Sequence, residues 1–270
     1  MSRLRISAIS YLNTAPLLWD FERTTSAADF RLSYTIPSAC AEALRDGTVD
    51  VGIIPAAAYA SIPDLLVIPE VAIAARRAIR SILLVSRVPV ERIRTVALDT
   101  SSLTSVALAK ILFAKWSGGK RRYQAMAPNL ERMLKTCDAA VLIGDPALQI
   151  DRSRFITLDL AEEWIARTGK PFVFAFWAIR RKTLEGRKAA AIAKVFQQSR
   201  AHGLEPANLE AIVQDWAPKL NLPPAEVRTY LTHNIHYYLD PPCLDGLRLF
   251  YCYAAEIGAI PRVPGLEFAL

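Results

Sequence analysis

Short apolar runs rich in valine, isoleucine and leucine alternate with polar turns and short amphipathic segments over residues 4–180. Such runs predict buried strands, and the segments between them have helical spacing, so the pattern indicates an α/β fold. From Arg181 onward the pattern is typical of helices alone. The predicted strands are 4–9, 31–35, 50–54, 66–74, 81–86, 94–98, 121–126, 139–143, 155–158 and 172–178, and the predicted tail helices are 181–202, 205–220, 223–233 and 242–257.

Part of this pattern occurs twice, with an offset of about ninety residues. In both copies a short strand leads into a polar turn that opens a helix, and aligning the two turns sets Asn13 opposite Ser102. Further on, a helix followed by a strand that ends at Ile54 has a counterpart that ends at Ile143. The repeat predicts two similar α/β lobes that face each other across a cleft.

Two apolar runs, 81–86 and 172–177, are predicted to connect the lobes. A chain that leaves one lobe and later returns to it forms a hinged binding protein, in which the ligand favours the closed state. The predicted first lobe is therefore 1–87 together with 178–270, and the second lobe is 88–177. The tail helices are expected to complete the first lobe and to cover the hinge.

Hydroxyl side chains crowd the turn that follows the predicted strand 94–98. A helix start has backbone N–H groups without intrahelical partners and a partial positive charge, so hydroxyls there complete a cradle for a carboxylate or phosphate. The alternative is that one of them only caps the helix, which needs a single side chain. The hydroxyl residues are Thr100, Ser101, Ser102, Thr104 and Ser105. Two such turns that face one cleft favour a small ligand with two negative charges.

The chain has 270 residues, of which 52% are hydrophobic and 22% charged, so it can bury one or two sizeable cores. No apolar stretch is long enough for a membrane helix, and Met1–Arg5 leads into a strand instead of a signal peptide. We therefore expect a cytoplasmic protein without membrane attachment. The four cysteines form no CxxC pair, which predicts buried thiols and no metal site.

The formal net charge of +7 raises the question of a nucleic-acid partner. Proteins of that kind concentrate their cations on one face and place aromatic residues between them. The cations of this chain are dispersed among several short clusters, so no nucleic-acid partner is predicted. A positive field that attracts an acidic metabolite explains the charge equally well.

Six segments of the chain form a recognisable series of motifs. They are 10–17 (SYLNTAPL), 50–55 (DVGIIP), 80–84 (RSILL), 99–105 (DTSSLTS), 143–148 (IGDPAL) and 172–177 (FVFAFW). In this order they resemble the motifs of the chorismate dehydratases, the first enzymes of the futalosine route to menaquinone. The element at 99–105 is the most specific of them, and the helical tail adds little to the resemblance.

The resemblance implies a type-2 periplasmic-binding-protein fold, here used by a cytoplasmic enzyme. It also implies an activity, the elimination of water from chorismate to give 3-(1-carboxyvinyloxy)benzoate, with no cofactor. Chorismate is a small molecule with two carboxylates, which suits two anion cradles. One departure is visible at Ala75–Ile79, where a glycine-proline approach to the Arg-Ser pair is expected.

The motifs contain no obvious strong base, because all three histidines lie in the helical tail. We hypothesise that the enolpyruvyl carboxylate of the substrate removes the C3 proton while Asn13 and Ser81 hold the substrate's conformation. Serine or threonine donors then assist departure of the C4 hydroxyl. The predicted substrate-binding residues are Ser10, Tyr11, Arg80, Thr100, Ser101, Ser102, Thr104, Ser105 and Asp145.

Some of these residues have structural alternatives. Tyr11 either donates to a carboxylate or packs at the cleft mouth, and Arg80 either pairs with a carboxylate or lies on the surface. Asp145 either serves the ligand or caps a helix. Two other functions stay open: a solute-binding protein for a small dicarboxylate, which the fold alone allows, and the related 1,4-dihydroxy-6-naphthoate synthase. The oligomeric state is not indicated.

Overall fold

A computed structural model describes residues 3–23 and 30–270, and these form two five-stranded sheets. The first sheet contains β1 (Leu4–Ile9), β2 (Phe30–Thr35), β3 (Val51–Pro55), β4 (Leu65–Ala75) and β10 (Phe172–Arg180), in the order β2-β1-β3-β10-β4. The second sheet contains β5 (Ile82–Ser86), β6 (Thr95–Asp99), β7 (Arg122–Met126), β8 (Ala139–Ile143) and β9 (Ile156–Asp159), in the order β7-β6-β8-β5-β9.

The two sheets repeat one topology. In the first sheet β1 pairs in parallel with β2 and β3, and in the second sheet β6 pairs in parallel with β7 and β8. All residues of β3 and β8 are buried, as expected for parallel strands covered on both faces. The predicted α/β class and the predicted internal repeat are therefore confirmed.

The lobes divide at other positions than the sequence predicted. The expected boundaries placed 82–86 in the first lobe and 172–177 in the second. The structure instead pairs β5 antiparallel to β8 in the second sheet, and β10 antiparallel to β3 and β4 in the first. The reason is hydrogen bonding, because each of these buried apolar strands pairs with a neighbour on both sides in that sheet and so satisfies its backbone groups. The chain thus crosses between the sheets within 76–81 and 160–171.

Short helices follow the strands, and three longer helices with one short helix, α10, form the tail. The helices are α1 (Trp19–Arg23), α2 (Pro37–Asp46), α3 (Ala56–Tyr59), α4 (Thr104–Leu112), α5 (Leu130–Thr136), α6 (Gly144–Leu148), α7 (Leu160–Thr168), α8 (Ala189–Gly203), α9 (Pro206–Leu220), α10 (Pro224–Thr229) and α11 (Pro241–Glu256). The first predicted tail helix begins late, at Ala189, because a 3₁₀ turn and then Gly186, with a φ of 71°, interrupt it.

Two irregular turns position site residues. A 3₁₀ turn, Leu12–Leu18, follows β1 and is called the Asn13 turn below. A π-helical turn, Tyr230–Asn234, continues α10 and is called the Tyr230 turn. Insertions of this kind into a helix are frequent at functional sites.

The tail packs against both lobes. Helix α8 contacts the Asn13 turn, α1 and β4 of the first lobe, while α11 contacts β10 and also α4 of the second lobe. No helix within the described ranges is long and apolar enough to cross a bilayer.

Candidate active site

A cavity with an empty volume of about 470 Å³ lies between the two sheets. Ile9 and Pro55 line it at the carboxyl ends of β1 and β3, and Ile143 lines it at the carboxyl end of β8. Ligands of open α/β sheets bind at the carboxyl ends of the strands, so this is the expected place for a site. Ile73, Phe174 and Ala175 add apolar walls from the first lobe, and Ile82 from the second.

The sequence-predicted residues that line the cavity are Tyr11, Asn13, Ser102, Thr104 and Ser105. The Asn13 turn supplies the first two of them from the first lobe, and the start of α4 supplies the three hydroxyls from the second. The two turns that the internal repeat aligned do therefore face one cavity. Thr14 also lines it, but its hydroxyl donates to the carbonyl oxygens of Ile9 and Tyr11 at 2.5 and 2.7 Å.

Part of the hydroxyl-rich turn stabilises its own backbone. Asp99 Oδ1 accepts hydrogen bonds from the N–H and the hydroxyl of Ser101, at 2.8 and 2.6 Å. Ser102 Oγ accepts from the N–H of Ser105 at 3.2 Å and so caps the first turn of α4. Because Ser102 uses its oxygen in this bond, its hydroxyl hydrogen is left to donate into the cavity.

Hydrogen bonds hold the two lobes closed over the cavity. The N–H of Leu12 donates to Asp145 Oδ1 at 3.0 Å, the N–H of Ser38 to the carbonyl of Ser101 at 3.1 Å, and the N–H of Ala57 to Thr104 Oγ1 at 3.1 Å. Each donor belongs to the first turn of a helical element in the first lobe, and each acceptor belongs to the second lobe. These three bonds are called the closure bonds below.

Asp145 contributes to this closed state and does not line the cavity. Its carboxylate accepts only from the backbone of Leu12 among the described hydrogen bonds, and burial raises its pKa from 3.8 to about 6. The preceding residue, Gly144, has a φ of 66° and meets the ring of Tyr11, where an added Cβ would lie 2.6 Å from the ring. Both features bring Tyr11 and the start of α6 together at the mouth of the cavity.

Burial raises the pKa of the Tyr11 phenol, with Asp99 and Asp145 adding to the effect, so Tyr11 stays protonated and able to donate. Asp99 is also buried, and desolvation raises the pKa of its carboxyl despite the bonds from Ser101.

Arg80 does not line the cavity. Its φ is 66°, its N–H donates to Asp159 Oδ2 at 2.6 Å, and its guanidinium donates to Glu226 of α10 at 3.4 Å. The structure thus places the predicted cation with an acidic partner of the tail, as in the surface alternative. Four other predicted residues also lie outside the lining: Ser10 and Thr100 are exposed, Ser101 donates to Asp99 as described, and Ser81 is buried.

Ser81 is fully buried and bonded to a residue that the motifs did not indicate. The hydroxyl of Tyr230 lies 2.8 Å from Ser81 Oγ, although the two residues are 149 positions apart. The Asn13 side chain also lies against the Tyr230 hydroxyl. No sequence signal marked Tyr230, because its partners Ser81 and Asn13 are distant in the sequence and its own segment was predicted as a plain helix.

One cluster in the described ranges has the composition of a metal site. Single ligand atoms of His236, Asp240 and Cys243 lie within 4.8 Å of one another. Asp240 is already paired with His236 at 2.7 Å and with the guanidinium of Arg76, and it caps α11 by accepting from the N–H of Cys243. Burial and the nearby Asp240 carboxylate raise the pKa of the Cys243 thiol to about 12, which disfavours the thiolate that a metal requires. We interpret the cluster as a structural ion-pair network.

Two α/β lobes that close over a cavity lined by helix starts define a two-lobed ligand-binding protein. Solved structures share this fold. A protein of Archaeoglobus fulgidus superposes with a TM-score of 0.72 at 16% identity, covering 96% of this chain and 98% of that one. The periplasmic aliphatic sulphonate binding protein of Escherichia coli superposes with a TM-score of 0.66 at 16% identity, covering 99% and 95%. The fold is thus periplasmic-binding-protein-like, as predicted.

Sequence comparison narrows this class to one family. A family model described as menaquinone biosynthesis matches residues 4–256. The chorismate dehydratase of Thermus thermophilus is 30% identical over 272 residues, which is 94% of each chain. That of Campylobacter jejuni is 30% identical over 165 residues, 60% of this chain and 59% of its own. The chain therefore belongs to the menaquinone biosynthesis family, and the resemblance seen in the motifs is confirmed.

Proposed function

We propose that this protein is a hydro-lyase that removes water from chorismate and releases 3-(1-carboxyvinyloxy)benzoate. The observation that carries the proposal is the cavity between the lobes, in which an amide, a phenol and hydroxyls at a helix start face apolar walls. The 30% identical relatives are named chorismate dehydratases, which supports the choice of substrate.

The polar lining suits a dicarboxylate with a hydroxyl group. At the start of α4 the hydroxyls of Ser102 and Thr104 accept backbone bonds, so their hydrogens are directed elsewhere and are available to a carboxylate. The partial positive charge at the start of α4 favours the same anion. On the opposite lobe Asn13 and Tyr11 are donors for the other polar groups of the ligand. The remaining walls are apolar and fit the carbon frame.

The proposed reaction breaks the C3–H and C4–O bonds of the ring. The enolpyruvyl carboxylate takes the C3 proton, the C–H electron pair forms the new ring double bond, and the C4 hydroxyl leaves as water with the proton that the carboxyl group now returns. The polar groups that line the cavity are the side chains of Asn13 and Tyr11 and the hydroxyls at the start of α4. At neutral pH these groups donate hydrogen bonds and do not take up protons. Their role is to hold the substrate carboxylate near C3 and to assist the leaving hydroxyl, which is catalysis by positioning.

The test is an ultraviolet assay of purified protein with chorismate and mass identification of the product. We expect chorismate to disappear and one aromatic product, 3-(1-carboxyvinyloxy)benzoate, to form in equal amount. Asn13→Ala should lower kcat because it removes an amide that orients the substrate. Asn208→Ala, which truncates a partly exposed amide of α9 away from the cavity, is the matched control and should match the wild type. Unchanged chorismate with folded protein would refute the proposal.

A substrate analogue separates the internal base from a base on the protein. An analogue without the enolpyruvyl carboxylate should inhibit competitively and should not be dehydrated. Turnover at a rate near that of chorismate would show that the proton goes to another group.

We also propose that the reaction takes place in the cytoplasm. All four cysteines carry free thiols, and Cys40, Cys137 and Cys243 are buried, as is usual in a reducing compartment. Cell fractionation distinguishes this from a transport role, because a solute-binding protein that serves a transporter would be found outside the inner membrane.

A further inference from the structure

The helical tail forms a series of hydrogen bonds along the end of β4 and the crossover between the lobes. Backbone bonds join His236 to Ala74 in both directions, at 2.8 and 2.9 Å, and the side-chain amide of Asn234 donates to the carbonyl of Ala78 at 2.8 Å. Next along the crossover Tyr230 meets Ser81 at 2.8 Å. The tail therefore fixes the segment from which Ser81 projects, although the family motifs all lie before the tail.

Tyr230 holds the central place in this contact. The residue is 2% exposed, and it begins the π-helical Tyr230 turn, where α10 changes its hydrogen-bonding pattern. Burial raises the pKa of its phenol, so the hydroxyl keeps its proton at all working pH values. A phenol is a stronger acid than an alkyl hydroxyl, and it therefore donates to Ser81 Oγ. The hydroxyl hydrogen of Ser81 must then point to another acceptor.

The same phenol oxygen is also in contact with the Asn13 side chain, whose interaction lowers the pKa that burial raises. Asn13 lines the cavity, whereas Ser81 and Tyr230 are buried in its wall. Tyr230 therefore lies beside both side chains: its hydroxyl donates to Ser81 Oγ and is in contact with the Asn13 side chain.

We propose that Tyr230 is a positioning residue for this site, whose phenol links the Asn13 amide to the Ser81 hydroxyl and fixes the orientation of both. This inference rests on the proposed dehydration of chorismate, in which Asn13 orients the substrate. The phenol thereby limits the orientations that the Asn13 amide can adopt beside the ligand. Without the phenol, the amide is free to rotate among orientations that do not hold the reacting conformer.

The test is Tyr230→Phe, which removes the hydroxyl and keeps the ring. We expect kcat to fall roughly tenfold, the effect of one lost buried hydrogen bond, with KM within about twofold of the wild type. Tyr237→Phe is the matched control, because Tyr237 is also 2% exposed and its hydroxyl has no hydrogen-bond partner among the described residues. This control should keep wild-type kcat. Equal kinetics for Tyr230→Phe and the wild type would overturn the proposal.

A double mutant separates positioning from a general loss of packing. If Tyr230 acts through Ser81, then Tyr230→Phe should add less than twofold to the loss already caused by Ser81→Ala. If the two losses multiply in full, Tyr230 acts independently of Ser81 and the proposal fails.

A measurement without turnover distinguishes this proposal from the proposed function. The side-chain amide resonances of Asn13, assigned by their loss in Asn13→Ala, should shift in Tyr230→Phe and stay in place in Tyr237→Phe. Unshifted resonances would refute the link between Tyr230 and Asn13 whatever the substrate is. Inactivity of the wild type toward chorismate would refute only the proposed function.

Discussion

At the scale of single residues, two opposing effects act on the buried carboxylate of Asp145. It must accept the N–H of Leu12 to close the lobes, and it must do so in a place where burial disfavours its charge. A side chain with the same shape and no charge would accept the same hydrogen bond without the cost of burying a charge. Asp145 therefore lowers stability at neutral pH while it supports the closed state.

This balance predicts a pH effect on stability. Folding raises the pKa of Asp145 from 3.8 to about 6. The contribution of its protonated form to folding stability is therefore fully present below the unfolded pKa of 3.8 and is lost as the pH rises through the folded pKa of about 6. Asp145→Asn keeps an acceptor for Leu12 and cannot ionise. We expect its free energy of unfolding to exceed that of the wild type increasingly from about pH 4 to 7.

The measurement is urea unfolding of both proteins across this pH range. Asp46→Asn, which removes one exposed carboxylate at the end of α2, controls for the change in net charge. A constant difference between Asp145→Asn and the wild type over the whole range would contradict the prediction.

Residue patterns predicted one half of the site well. The hydroxyls of the α4 start and the polar Asn13 turn are local features, since each follows a strand and opens a helix, and the repeat pointed them at one cavity. Tyr230 could not be found in this way, because its role depends on a contact with Ser81 across 149 residues. Arg80 was expected to serve a carboxylate, but its positive φ and its bond to Glu226 depend on the packed tail.

At the scale of elements, the Asn13 turn is positioned by its neighbours. Its sequence contains Pro16, and a 3₁₀ turn has weaker hydrogen bonds than an α-helix, so it needs support from outside. Helix α8 gives this support: Ser199 donates to the carbonyl of Leu17 at 2.9 Å, and Gly203 lies directly against the backbone of Pro16.

Filling this contact should displace the turn. A Cβ at Gly203 would lie 2.0 Å from the carbonyl oxygen of Pro16, so Gly203→Ala must push α8 away from the Asn13 turn. We expect the free energy of unfolding to fall by roughly 1 to 3 kcal/mol, the range for overpacking, and kcat to fall with it. Gly265→Ala is the matched control, since nothing lies within 4 Å of its added Cβ.

Chemical denaturation and chorismate kinetics of the two variants check this prediction. Wild-type stability in Gly203→Ala would show that α8 yields easily and does not fix the turn. Loss of stability without loss of kcat would show that the turn keeps its shape by itself.

The elements themselves were predictable from apolar runs, but their partners were not. The strand β5 is buried along its whole length and β10 along all but its last residue, so neither carries an alternation that reveals a solvent face. Each therefore fits either sheet by composition. Register with β8 and β3 decides the sheet, and register is a property of the assembled fold.

At the scale of the whole molecule, the closed cleft raises the question of how a ligand enters. The closure bonds join Leu12, Ser38 and Ala57 of the first lobe to acceptors of the second, so opening must break all three. A ligand that fills the cavity stabilises the closed state by its own contacts to both lobes. In the free protein, the closure bonds oppose opening together with the packing of Tyr11 against Gly144.

This view makes opening a single cooperative step that one substitution can shift. Thr104→Val removes the acceptor of the Ala57 N–H and leaves that amide unsatisfied in the closed state, a cost of roughly 1 to 3 kcal/mol. In the free protein, the amide of Ala57 should then exchange with solvent at least about tenfold faster. Exchange at the amides of Leu12 and Ser38 should accelerate by a similar factor, although their own acceptors are intact, because these bonds open in the same step.

Thr100→Val, in the same turn but exposed and outside the cavity, should leave all three exchange rates unchanged. Exchange resolved by residue decides between the two outcomes: faster exchange at Ala57 alone would mean that the closure bonds open one at a time, and that the lobes do not move as a unit.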